Sequence, residues 1–137
     1  VTGPADPDGG AFPDRVTMVV LHCRDVAALR PFYRALGWPE GAGSDDALAR
    51  FSLGPLALVL HPAGDPAAAP APAGTTLVLP VARADGVDRA VADARAAGGR
   101  VDSEPADQDW GGRSAVFADP EGHPFEVLFV PGRPGPG

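Results

Sequence analysis

The chain reads as an α+β fold built from two similar halves, and three observations predict it. First, an apolar β-rich run, an Asp, an amphipathic stretch and a terminating Gly follow one another twice. Second, a Pro/Ala segment, PAGDPAAAPAPAG at 62–74, stands between the two copies and can be neither a helix nor a central strand. Third, a chain of 137 residues is one domain by length, large enough to bury a core without staples.

The elements follow in order. Residues 1–14 are rich in Pro, Gly and Asp, show no periodicity, and read as a disordered tail. The single domain spans 15–130, with modules at 16–61 and 75–130. VTMVVLHC at 16–23 is the first strand. Asp25 can cap a helix whose apolar residues Val26, Leu29, Phe32 and Leu36 recur at helical spacing, and Gly37 ends it. Pro31 inside this stretch implies a kink or a late start. Residues 48–53 and 56–61 form a hairpin around Gly54-Pro55.

The second module repeats the pattern. Its first strand is TTLVLPV at 75–81. Asp85 precedes an Ala-rich helix carrying Val87, Val91 and Ala94, stopped by Gly98-Gly99. Strands at 101–103, 114–118 and 125–130 follow, the last two joined by the turn Asp119-Pro120-Glu121-Gly122, whose His123 is expected at the surface. Val19-Val20-Leu21 aligns with Leu77-Val78-Leu79, and Gly37 with Gly98; by subtraction the offsets are 58 and 61, which a three-residue insertion reconciles. The implied order is β-α-β-β-β, twice. Residues 131–137, PGRPGPG, read as a second tail.

Composition narrows the function. Net charge is −7 with no basic cluster, which argues against a nucleic-acid partner. All 11 basic residues are Arg, so a lysine Schiff base and a P-loop lysine are both excluded. The single cysteine, Cys23, allows no intrachain disulfide. No apolar stretch approaches membrane-helix length and no leader pattern is seen, so the expected location is the cytoplasm. No GxSxG elbow surrounds any serine, and no Gly-rich loop joins a strand to a helix.

Two segments carry a family resemblance: VVLHCRDVAALRPFYRALGW in the first half and WGGRSAVFADPEGHPFEVLF in the second. Over about 16–130 the chain resembles the vicinal oxygen chelate superfamily, which includes glyoxalases, extradiol dioxygenases and bleomycin-resistance proteins. The resemblance implies two βαβββ modules forming a cupped mixed sheet with helices on its outer face. It also implies a homodimer, often with clefts completed by both chains.

The superfamily usually binds a divalent metal through four positions in the cup. Here they fall on Met18, Val59, Thr76 and Glu126. A hydrocarbon, a thioether and a hydroxyl beside one carboxylate are a poor donor set, since catalytic zinc takes three strong protein ligands. No metal and no cofactor are therefore expected there. A shifted set of His22, His61 and Glu126 is the rival arrangement.

A metal-free cup is the arrangement of the drug-binding branch. Met18, Val20, Ala57, Val59 and Val78 supply an apolar floor, Trp110 an aromatic wall, and His22, His61, Thr76, Arg50, Arg113 and Glu126 polar contacts; Trp38, after the first helix, either packs in the core at the helix end or adds a second aromatic wall. Glu126 is expected to pair with Arg50, Arg113 or a cationic group of the ligand. Cys23 would face the helices as a buried small residue. The leading expectation is a non-enzymatic protein that sequesters a small-molecule natural product and so confers antibiotic resistance. The alternative is a metal-dependent or Glu126-based lyase, isomerase or dioxygenase; a regulatory domain with an empty cleft is the third class.

Overall fold

The computed structural model describes residues 11–65 and 74–132. The expected tails and linker fall mainly on 1–10, 66–73 and 133–137, outside these residues; 11–17 carry no helix or strand. The elements are β1 (Met18–Cys23), α1 (Val26–Ala35), β2 (Ala49–Leu53), β3 (Leu56–Pro62), β4 (Leu77–Val81), α2 (Ala84–Ala96), β5 (Arg100–Asp107), β6 (Arg113–Ala118) and β7 (Pro124–Phe129).

Each module makes its own mixed sheet, ordered β1-β3-β2 in the first and β4-β7-β6-β5 in the second. The first strand of each pairs in parallel with the last, β1 with β3 and β4 with β7. A parallel pair needs a long crossover, and the helix supplies it.

The first module has one strand fewer than the repeat implies. Where its partner has β5, only the bridge Glu40↔Phe51 forms. Residues 41–46, GAGSDD, offer two glycines, two aspartates and no alternating apolar side chains, so nothing there fits a pleated edge. Glu40 instead holds Arg30 and Arg34 of α1, at 2.9 and 2.8 Å. β5 is longer than expected, and its register shifts twice, between Val101 and Ser103 and between Ser103 and Ala106, where Pro105 interrupts donation.

Asp25 caps α1 as expected, accepting from the Ala28 amide at 3.2 Å. The helix starts on time and runs through the exposed Pro31, so it does not start late. Gly37, at φ +90°, takes the left-handed conformation that ends it. α2 differs from expectation: Arg83 is its N-cap, and Asp85 lies in the first turn, where it complements the helix dipole and pairs with Arg83 at 3.2 Å.

Both sheets turn their helix-covered faces to one core. Tyr33 of α1 joins them, with its ring 5.7 Å from Phe51 of β2 and 6.2 Å from Phe125 of β7. Phe32 of α1 reaches Phe117 of β6 at 6.4 Å. A Cβ at Gly99 would stand 2.8 Å from the Phe32 ring and 2.8 Å from the Ala118 carbonyl oxygen, so the chain needs glycine for α1 to approach there.

A polar latch also ties the modules. The β6–β7 turn folds onto the start of α1, where Glu121 accepts from the Arg24 and Asp25 amides at 2.8 and 2.9 Å. Asp119 Oδ1 accepts from the Glu121 and His123 amides, closing the turn. Its Oδ2 accepts from the Tyr33 hydroxyl at 2.6 Å and faces His123 Nδ1 at 2.7 Å. His123 is therefore buried, contrary to the surface position expected of it, because the turn packs on α1 instead of pointing into solvent.

His123 Nε2 lies 3.3 Å from the His22 carbonyl oxygen. An ionised carboxylate and a carbonyl only accept, so Nδ1 donates to Asp119 and protonation of the ring adds a second donor facing the His22 carbonyl. Burial pushes this imidazole down, but the hydrogen bond and charge of Asp119 outweigh it and hold it above the ordinary value. Burial likewise pushes Asp119 up, while His123 and Tyr33 together hold it below the ordinary carboxylate range.

Candidate functional site

Strand alternation assigns the faces. Val19, Leu21 and Cys23 of β1 belong to the core, so Met18, Val20 and His22 point to the open face of the first sheet. The parallel register sets Met18 beside Ala57, Val20 beside Val59 and His22 beside His61. Arg50 of β2 stands opposite Val59. Met18 and Val20 are 42% and 41% exposed, whereas Val59 is buried. This face is an apolar patch with a histidine pair at one end.

The second sheet carries the other half. Thr76 is exposed just before β4. Val78, Glu126 and Val116 sit side by side on β4, β7 and β6. A cavity of about 500 Å³ lies against this face, lined by Ser103, Gln108, Trp110, Ser114, Val116 and Glu126 among others. All its lining comes from β5 to β7 and the β5–β6 loop. Gln108 donates to the Ser114 hydroxyl at 3.0 Å, which fixes the polar edge. Trp110 is 53% exposed at the rim. Glu126 is half-buried, and among the described residues its carboxylate has no hydrogen-bond or ion-pair partner.

Two expectations about these side chains change, and the choice left open for Trp38 is resolved. Arg113 does not reach Glu126. It alternates with Ser114 and so points to the helix side, where Asp88 of α2 takes it at 2.8 and 2.9 Å and Asp107 at 2.9 Å. These carboxylates push its guanidinium pKa further up. Arg50 makes no ion pair with Glu126 either; among the described residues its guanidinium has no ion-pair partner. Trp38 is a core residue, stacked on Tyr33 at 5.6 Å and edge-on to Phe125 at 5.9 Å. Its outer edge lines a separate apolar cavity of about 550 Å³ between the β2–β3 turn and β4.

The superfamily's metal does not fit. Met18 and Val59 stand on one sheet, Thr76 and Glu126 on or beside the other, and only Glu126 is a strong donor. The shifted set is not assembled in the chain: among the described residues no three of His, Cys, Asp and Glu come together. Cys23 is fully buried, its thiol donating to the Leu21 carbonyl and pushed up by burial to about 12, so it is packing and not a nucleophile. Sequence reasoning missed Gln108 and Ser114 as cavity lining. The signal was available, since Ser114 shares strand parity with Val116, which pairs with Glu126.

A model of the glyoxalase-like domain family matches residues 18–128. The chain belongs to the glyoxalase-like domain family. This glyoxalase-like domain resembles several solved structures. One is a glyoxalase/bleomycin resistance protein/dioxygenase from Nocardioides, 27% identical, covering 92% of this chain and 89% of that one, with a TM-score of 0.70. A glyoxalase-related enzyme from Fulvimarina pelagi is 23% identical over 90% and 96% of the two chains, with a TM-score of 0.76. A lactoylglutathione lyase from Agrobacterium tumefaciens is 21% identical over 86% and 95%, with a TM-score of 0.65. The last two likenesses show the fold alone. A search of curated proteins finds no match. Among the described residues no helix is long and apolar enough to cross a membrane.

Proposed function

We propose that this glyoxalase-like domain binds an intact natural product carrying a planar ring and a cationic group, and protects a cell by sequestering it. The observation that carries this reading is the unpartnered Glu126 carboxylate inside a cavity rimmed by Trp110. A carboxylate with no donor inside the protein is open to a charge-assisted hydrogen bond from a ligand. Trp110 offers a face for stacking and for a cation. The metal positions Met18, Val59 and Thr76 leave shape and charge as the means of recognition.

A homodimer belongs to the same proposal. The cavity draws on the second sheet alone, while the apolar face of the first sheet, Met18 and Val20, lies open. A second copy laying its first sheet over the cavity buries both faces and closes the cleft. Sedimentation equilibrium that finds only monomer where ligand binds would remove this second wall.

The functional test is a thermal-shift screen against amine-bearing aromatic antibiotics. A true ligand at 100 times its Kd stabilises the fold by about 2.7 kcal/mol. Neutral aromatic compounds of similar size give a smaller shift. Equal shifts for neutral and cationic compounds would contradict the role of Glu126. The same free carboxylate also favours a second reading, acid–base catalysis by Glu126. Product formation in the same incubations would identify that case.

A further inference from the structure

We propose that His22 and His61 form a two-imidazole site for a borderline divalent ion such as Zn²⁺, on the open face of the first sheet and apart from the Glu126 cavity. The parallel register places the two residues side by side on β1 and β3. Their ring centroids are 5.8 Å apart, inclined at 69°. Two imidazoles bound to one zinc at about 2.0–2.1 Å in tetrahedral geometry hold their centroids roughly 5–6 Å apart, the spacing these two rings already have.

The hydrogen bonds favour the required tautomer. His61 Nδ1 lies 2.7 Å from the Pro62 carbonyl oxygen. A carbonyl only accepts, so Nδ1 carries the proton and Nε2 keeps its lone pair. A ring whose second nitrogen donates to a backbone carbonyl is the usual arrangement of a metal-bound histidine. The His22 ring has no hydrogen-bond partner among the described residues and both rings are exposed, so His22 gives up no hydrogen bond to bind and His61 keeps the one it has. The backbone beneath is held, since the His22 carbonyl accepts from His123.

Imidazole selects the class of ion. Ca²⁺ and Mg²⁺ take oxygen donors, whereas Zn²⁺, Cu²⁺ and Ni²⁺ take nitrogen. No third His, Cys, Asp or Glu joins the pair among the described residues, so the ion keeps open positions for water or a ligand atom. The site does not rest on the binding function proposed above.

The test is calorimetric titration of ZnCl₂ into the metal-stripped full chain, with Mg²⁺ as the control ion. One Zn²⁺ per chain is expected, with no heat from Mg²⁺. His22→Gln and His61→Gln each weaken it at least about tenfold, or 1.4 kcal/mol, and the double variant abolishes it. Imidazole ¹⁵N spectra give a readout independent of the variants: Zn²⁺ shifts the Nε2 signals of two histidines and leaves the third, the buried His123, unchanged. Absence of saturable binding, binding that survives in the double variant, or a shift confined to His123 would overturn the proposal.

Discussion

Replacing Asp119 with alanine lowers unfolding stability by about 3–5 kcal/mol, the cost of removing one partner from a buried ion pair. Asp119 is the hub of the latch between the modules, meeting Tyr33, His123 and two backbone amides. Without it the Tyr33 hydroxyl and the His123 ring lose their acceptor while remaining buried. Asp119→Asn also destabilises: one amide oxygen cannot replace both carboxylate oxygens, and the amide nitrogen would face a donor. Chemical denaturation at fixed pH reads both variants. A loss below about 1 kcal/mol would show that the turn relaxes into solvent and that the latch contributes little.

The same pair sets a pH dependence. His123 is raised on folding, so its contribution is complete below the unfolded histidine value of about 6.5 and is lost as pH rises through the folded value. Asp119 is lowered, so its contribution is complete above the unfolded value of about 3.9 and is lost as pH falls through the folded one. The pair therefore stabilises most between about pH 4 and 6.5. Asp119→Ala flattens the alkaline side of the wild-type profile.

Replacing Glu126 with glutamine weakens a cationic ligand by roughly ten- to a hundredfold, since a hydrogen bond to a charged group contributes about 1.5–3 kcal/mol. Stability is nearly unchanged, because the carboxylate makes no contact within the protein for the substitution to break. A neutral analogue of the same ligand binds both forms alike. Calorimetry with the charged and neutral pair separates this from a general loss of shape. Equal losses for the two would place the effect in packing against Val78 and Val116 instead of in charge.

Much of the fold was legible because the repeat is written in local chemistry. Asp25 and Gly37 mark the ends of α1, and Gly98 the end of α2, since capping and left-handed turns need particular residues. The missing strand of the first module is written in the GAGSDD run, whose glycines and aspartates break the symmetry of the repeat. The site was legible by parity. Once Glu126 faces the cavity, Val116 follows from pairing and Ser114 from alternation, and the same rule turns Arg113 away. The position of His123 was not legible, because it depends on how α1 packs across two sheets; Trp38 was legible only as a choice between core and cleft. That packing is decided by Tyr33, Phe51 and Phe125, which are distant in sequence.

The most direct measurement is the fate of a bound ligand. The wild-type chain is incubated with a cationic aromatic ligand found by thermal shift, with and without EDTA, and the ligand is released and weighed by mass spectrometry. Sequestration through Glu126 and Trp110 predicts equal binding in both conditions and recovery of the ligand at its original mass. A changed ligand, or binding that chelator abolishes, would contradict it.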